Sequence, residues 1–341
     1  MTTNDIHLSC RNLWKIFGVA EGKRLSQQEA QAIAAEKSGY VFGARDVSFD
    51  ITRGETFVIM GLSGSGKSTL VRCLSRLTEP TAGEVSLDGQ NLLTMSDAEL
   101  IDIRRHRMGM VFQNFALLPH LTVLENVAFP LRIQGISSDE RTKRAQEVID
   151  LVGLNDRERR YPRELSGGQQ QRVGIARSLA VKPDLWFLDE PFSALDPLIR
   201  REMQNELIRL QSMLQKTIVF ITHDFDEAIR LADRVAIMKD GIIEQLGTPE
   251  EILAHPATDY VRAFTKDAPK GKVLSARSIM RPLSNAKVAG EIPAAALAAE
   301  IARTTLDGSK TYAVIDESGK RIGMVSASDI IAVLSGSEIE S

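Results

Sequence analysis

Residues 61–69, GLSGSGKST, place a lysine at the end of a glycine-rich turn. Gly61, Gly66, Lys67 and Ser68 satisfy G-x-x-x-x-G-K-[ST] between an apolar run and a helix. Glycines let the backbone curl until its N–H groups face phosphate oxygens. Lys67 then brings charge to the β- and γ-phosphates, and the Ser68 hydroxyl ligates Mg²⁺. A plain turn would give Lys67 nothing to do. A second run, LWFLDE (185–190), ends in two carboxylates. Beside a phosphate loop, Asp189 is suited to the Mg²⁺ shell and Glu190 to polarising water for attack on the γ-phosphate. TIVFITH (217–223) ends in His223, where the carboxyl edge of a parallel sheet gathers ligands. Gln113 heads a helical stretch in MVFQNFALLPHLTV, and Phe17 is either core or a face for an adenine ring. LSGGQQQRVGIARSLA (165–180) adds a second helix start with free N–H groups and a positive end. One chain thus carries two phosphate-binding helix starts, a hundred residues apart.

The elements needed to position these residues follow from pattern. IHLSCRNLWKIF (6–17) reads as a strand, and residues 21–39, rich in Gln, Ala and Glu, as a helical insert closed by Gly39. ARDVSFDI and TFVIMG read as strands around a turn at Arg53-Gly54, followed by a helix from about Lys67 and a strand at GEVSLDG (83–89). Residues from roughly 95 to 160 look helical. Beyond them helix 167–180, strand LWFLDE, helix 197–214, strand TIVFITH, helix 224–231 and strand RVAIMKDG alternate. Such alternation predicts a mostly parallel sheet covered on both faces. Composition shifts after YVRAFTKDAPKGK (260–272), and the remainder reads as a short α+β unit.

In this order, the glycine loop, Gln113, LSGGQ, LWFLDE, SALD (193–196) and His223 resemble the motif set of an ABC transporter ATPase. The resemblance covers about residues 6–250. It implies an α/β fold in which a mostly parallel sheet is joined by an antiparallel β subdomain and a helical subdomain (about 95–160). It also implies ATP and Mg²⁺ as cofactors. Gly61, Leu62, Ser63, Gly64, Ser65, Gly66, Lys67, Ser68 and Thr69 would hold one nucleotide, with Phe17 against its base. Lys67, Glu190 and His223 would be catalytic, and Ser68, Gln113 and Asp189 would meet the metal. In the family two cassettes pack head to tail. Ser166, Gly167 and Gly168 would therefore serve the partner copy's γ-phosphate, which accounts for the second helix start; Gln113, Gln169 and Asp196 would also bind nucleotide.

Finer features, among them LWKIFG before a helical insert and THDFDEAIRLADRVAIMKDGIIEQLGTPEEIL, resemble the ATPases of osmoprotectant importers. Their cargo is glycine betaine, proline betaine, choline or a related quaternary amine. The resemblance implies two permease subunits and, indirectly, a solute-binding protein as partners. We expect an ATPase domain over 1–265 (insert 21–39), a linker at 266–272, a unit over 273–335 and a frayed tail at 336–341. The tail unit resembles a single CBS motif, best in YAVIDESGKRIGMVSASDI; it would regulate, or only dimerise or cap. Its Arg277, Arg281 and Lys287 are candidates for meeting anionic lipid.

Bulk properties narrow the function classes. The chain has 341 residues, a net charge of −3 and 43% apolar content, so a nucleic-acid partner is not expected. A soluble ABC ATPase acting on DNA or ribosomes is the other reading. Such proteins carry a long coiled-coil arm or two cassettes, and neither sustained heptads nor a second LSGGQ occurs. Two cysteines, Cys10 and Cys73, build no disulfide framework or zinc site. The start, MTTNDIHLS, lacks the pattern of a signal peptide. No run of about 18 apolar residues exists. The expectation is a soluble chain held peripherally at the cytoplasmic face of the inner membrane.

Overall fold

The structure is a computed structural model that describes residues 5–20, 22–36, 39–284, 287–304 and 310–335. Residues 21, 37 and 38 of the expected insert, and the expected tail 336–341, lie outside the described residues. Two compact units are present: Met1–Glu227 with Met238–Ile243, and Ala228–Ile237 with Glu244–Ser341.

The larger unit opens with β1 (Ile6–Phe17), α1 (Gln27–Ala35), β2 (Val41–Thr52), β3 (Thr56–Met60) and α2 (Lys67–Leu74). Next come β4 (Ala82–Leu87), β5 (Gln90–Asn91), α3 (Asp97–His106), β6 (Met108–Val111), α4 (Val123–Ile133) and α5 (Ser138–Leu151). It continues through α6 (Gly167–Leu179), β7 (Leu185–Asp189), α7 (Pro197–Leu214), β8 (Thr217–Thr222) and into α8 (Phe225–Leu231).

β3, β6, β7 and β8 form parallel ladders in which β8 lies between β3 and β7, and β7 between β8 and β6. Every residue of β3, β7 and β8 is buried, as expected of parallel strands covered on both faces. Their register decides the function. Met60 stands opposite Thr222, and Asp189 opposite Ile221, so the segments that follow leave one sheet edge together.

β6 lies inside the stretch expected to be helical, which corrects that reading. MGMV is too short to show a period, and it pairs because β7 offers an edge. Gln113 accordingly follows a strand rather than heading a helix. α4, α5 and α6 pack on one another as the helical layer.

An antiparallel sheet in the order β2-β1-β4-β5 forms the second layer. α1 covers it. Ala30 joins Trp14, Ile16, Leu25 and Ala82 in one cluster, and Ser26 and Glu29 close the helix with a reciprocal cap. Asp88, just past β4, ties this layer to the parallel sheet. It meets buried His7 at 2.8 Å, Arg53 at 2.5 Å and Arg107, whose Nε reaches Asp184 at 3.1 Å. Burial works to raise the Asp88 carboxyl, yet hydrogen bonds from His7 and Arg107 bring it below the usual range.

β9 (Arg234–Lys239) and β10 (Ile242–Gly247) meet at a turn that belongs to the larger unit, where Asp240 and Gly241 have φ of 49° and 81°. The second unit continues with α9 (Pro249–Ala254), α10 (Asp259–Phe264) and α11 (Ala276–Ile279). It ends with β11 (Val288–Pro293), α12 (Ala298–Thr304), β12 (Thr311–Ile315), β13 (Arg321–Ser326) and α13 (Ala327–Ser335). β12 pairs with β11 in parallel and with β13 antiparallel. A short 3₁₀ turn, Lys270–Lys272, occupies the expected linker and packs on α12 and α13; a Cβ on Gly271 would lie 2.4 Å from Leu334. Residues 270–272 therefore belong to this unit. Arg281 is committed to the buried carboxylate of Asp329 at 2.6 Å, so of the three expected lipid-facing cations it already has a partner.

Candidate functional site

The phosphate loop runs from β3 into α2 with three left-handed glycines: Gly61, Gly64 and Gly66 have φ of 153°, 82° and 104°. Two of them also lack room for a side chain. A Cβ on Gly61 would lie 2.2 Å from the Met238 carbonyl, and one on Gly66 would lie 2.2 Å from that of Gly43. The Gly241 N–H donates to the Ser65 carbonyl at 2.9 Å, so the β9–β10 turn braces the loop from behind.

Lys67 is buried, and its Nζ donates to the carbonyls of Gly61 (2.8 Å) and Leu62 (3.1 Å). Its Nζ lies 4.0 Å from Glu190 Oε1. Burial pushes the ammonium below the usual lysine range, and the Glu190 and Asp189 carboxylates oppose that. Ser68 Oγ donates to Asp189 Oδ1 at 3.1 Å. Burial raises the Asp189 carboxyl, against the Ser68 hydrogen bond and the nearby Arg72 charge. Glu190 takes a left-handed φ of 44°, and its N–H donates to the Ile221 carbonyl at 3.1 Å. This turn swings its carboxylate to His223 Nδ1, 3.1 Å away. His223 keeps 56% of its side chain exposed. The structure thus joins Lys67, Ser68, Asp189, Glu190 and His223 in one constellation.

Phe17 is 43% exposed, with Lys15 Nζ 5.2 Å from its ring centre. A Cβ on Gly43 would meet both its ring (2.8 Å) and Thr69 (2.5 Å). The ring therefore stands beside the start of α2. Leu62, Ser63 and Gly64 face solvent on the loop.

Ser166, Gly167, Gly168, Gln169 and Asp196 form a different group. Ser166 caps α6 reciprocally with Gln169, at 3.0 and 3.4 Å, and Asp196 caps α7 by accepting from the Ile199 N–H at 3.1 Å. Gly168 is buried against α7, where a Cβ would lie 2.5 Å from Ile199. Gly167 and Ser166 remain exposed at the helix start.

Exposed Gln113 is followed by Phe115 and Ala116 with φ of 57° and 49°. Both of their carbonyls accept from the Arg177 guanidinium of α6, at 3.1 and 2.6 Å. Fully buried Asn126 of α4 holds the rest of this loop through Leu118, Leu121 and Thr122. Sequence reasoning missed Arg177 and Asn126.

Two observations test the fit to ATP and Mg²⁺. Gly61 and Gly66 keep backbone where side chains would intrude, and Ser65 Oγ is buried inside the loop without a hydrogen-bond partner among the described residues. Among the described residues no cluster of three or more His, Cys, Asp or Glu could hold a metal alone. Ser68 and Asp189 supply two hard oxygens, which suits an ion whose other ligands are phosphates and water.

Residues 44–193 match the ABC transporter family. The trimethylamine N-oxide transport system ATP-binding protein TmoW of Pelagibacter ubique is 55% identical, over 96% of this chain and 97% of that protein. The glycine betaine/proline betaine transport system ATP-binding protein ProV of Escherichia coli is 48% identical, over 96% of this chain and 83% of that protein. Among solved structures, a dimeric post-hydrolysis state of the ATP-binding cassette MJ0796 bound to ADP and Pi is 36% identical. It covers 71% of this chain and 98% of that one, with a TM-score of 0.60.

Proposed function

This chain belongs to the ABC transporter ATP-binding proteins, and from that premise we propose that it powers uptake of a small methylated amine, trimethylamine N-oxide or glycine betaine. The observation that carries the proposal is similarity to both named relatives over 96% of the chain, the C-terminal unit included. The two solutes share a cationic trimethylated nitrogen and an anionic oxygen, bonded directly in the N-oxide and separated by a methylene and the carboxyl carbon in the betaine. Trimethylamine N-oxide is an addition to the betaines and choline that the motifs brought in.

In the working cycle the P-loop amides and Lys67 grip the β- and γ-phosphates of ATP. Ser68, Asp189 and Gln113 would hold Mg²⁺, which neutralises charge on the β- and γ-oxygens when bound. Glu190 takes the proton of the attacking water, and His223, braced by the same carboxylate, contacts the γ-phosphate. Phe17 offers its exposed ring to the adenine. Two copies pack head to tail. Ser166, Gly167, Gly168 and Gln169 then present the start of α6 to the partner's γ-phosphate, with Asp196 beside them. That Ser166 and Gly167 stay exposed at the start of α6 supports this division, as does the dimeric MJ0796 relative.

The complex is completed by two permease subunits at the cytoplasmic face of the inner membrane, served by a solute-binding protein. No described helix is long and apolar enough to cross a membrane. Residues 273–335 act as a single CBS-like regulatory or dimerising unit, a reading supported by the β-α-β-β-α order from β11 to α13. The test is uptake of labelled trimethylamine N-oxide, glycine betaine and choline in cells lacking this chain. Loss of uptake of either methylated solute, restored by the intact chain and not by Glu190→Gln, is expected. Unchanged uptake of all three overturns the assignment.

A further inference from the structure

A small cavity behind the Glu190–His223 pair is lined by Arg200, Thr222, Asp224 and Glu227. Glu227 is 4% exposed, yet it lies outside every nucleotide-binding motif. Its Oε2 accepts from Thr222 Oγ1 at 2.6 Å, and its Oε1 accepts from Gln204 Nε2 of α7 at 3.2 Å. The Thr222 hydroxyl in turn accepts from the Asp224 N–H at 3.0 Å. His223 is therefore the apex of a turn closed by a single hydroxyl. A hydroxyl has one proton, and giving it to Glu227 leaves a lone pair aimed at Asp224. Asp224 Oδ2 lies 3.8 Å from Arg200, whose Nη2 donates to the Leu195 carbonyl at 3.2 Å. Leu195 immediately precedes Asp196, the α7 cap.

We propose that Glu227 is a positioning residue for hydrolysis: through Thr222 it fixes the turn that aims His223 at Glu190, and through Gln204 it ties that turn to α7. The proposal rests on His223 acting in hydrolysis. Glu227 touches no reacting atom, so its whole effect passes through the aim of the imidazole. Misplacing a catalytic group by about 1 Å costs on the order of a hundredfold in rate, which sets the scale.

The test measures steady-state and single-turnover phosphate release, ATP affinity and thermal melting on the full chain. Glu227→Ala is expected to lower kcat at least about tenfold, with KM for ATP within about threefold. Glu227→Gln should restore most of kcat, because its carbonyl can accept from Thr222 while the Gln204 amide flips. Thr222→Val should reproduce the Glu227→Ala loss, and it carries the test if Glu227→Ala does not fold. On a His223→Ala background, Glu227→Ala should cost less than about twofold, since there is no ring left to aim. An equal loss on that background, a rise in KM with kcat kept, or unchanged kcat in both Glu227→Ala and Thr222→Val overturns the proposal. If His223→Ala itself leaves kcat unchanged, the reading of His223 falls, and the role of Glu227 falls with it.

Discussion

Replacing Glu190 by Gln separates binding from hydrolysis, and the structure sets the sign of both effects. The change keeps the side chain's size while removing the group that can accept a proton from water. A positioned base contributes 10²–10⁴-fold, about 3–5 kcal/mol of barrier, so kcat should fall by that range. ATP affinity should behave differently. Glu190 Oε1 lies 4.0 Å from Lys67 Nζ, and the Glu190 side chain is only 17% exposed. A pair at that distance is worth between about 1 kcal/mol in bulk water and about 4 kcal/mol at an effective dielectric near 20. Removing the carboxylate leaves Lys67 to the phosphates alone and removes a negative charge beside them. Affinity should therefore hold or tighten, and an ATP-loaded dimer should persist. Glu190→Asp is the control: it keeps the charge but draws the carboxylate back by a methylene, so it should retain more turnover than Gln. Phosphate release, nucleotide fluorescence titration and size exclusion with ATP read the three quantities. A kcat within about tenfold of the parent refutes Glu190 as the base. A collapse in ATP affinity refutes the electrostatic reasoning.

Lys67→Ala should fail at binding, because it loses both its carbonyl contacts within the loop and its charge on the phosphates; nucleotide titration checks this, and unchanged affinity refutes the role. Ser166→Arg and Lys67→Ala chains should each be inactive alone but regain part of the ATPase when mixed, since one site of the heterodimer carries neither lesion. No recovery in a proven heterodimer would speak against head-to-tail packing. Burial holds the His7 imidazole below the usual histidine range, so in acid the unfolded chain takes up a proton before the folded one. Stability should fall as pH drops below about 6.5, by at most about 1.4 kcal/mol per pH unit. Urea melts at pH 7.5 and 5.5 should show this limb in the parent and a weaker one in His7→Gln; equal losses would refute it.

The fold was legible wherever burial on both faces turned a strand into an unbroken apolar run. FVIM, LWFL and IVFI are such runs, and the prediction of helix 197–214 matches α7 to the residue. β6 escaped because four residues carry no period. Its fit is tertiary: a Cβ on Gly109 would lie 2.8 Å from Pro183 and 2.9 Å from the Ser178 carbonyl. The short turn inside the second unit was hidden for a similar reason. Lys270–Lys272 looked like linker by composition, but Gly271 leaves space that Leu334 fills.

The candidate site shows the same split at the level of single residues. Groups on the phosphate loop announce themselves, because a few adjacent positions supply both the curl and the charge. Residues that act through partners distant in sequence do not. Arg177 reaches the loop after Gln113 across 61 and 62 positions, and Glu227 meets Gln204 across 23. In a linear reading each is one more charged residue on a helix. The solute is further removed still: under the proposed function the P-loop, Gln113 and the start of α6 are all assigned to nucleotide. On that proposal, choice between an amine oxide and a betaine falls to the subunits that hold the solute. What this chain can set is when hydrolysis fires. The device for that is the sheet edge, where β3, β6, β7 and β8 release the phosphate loop, Gln113, Glu190 and His223 in one register. β3, β7 and β8 are buried on both faces, so packing along their whole length fixes this pairing, and the pairing decides which segments leave the edge together.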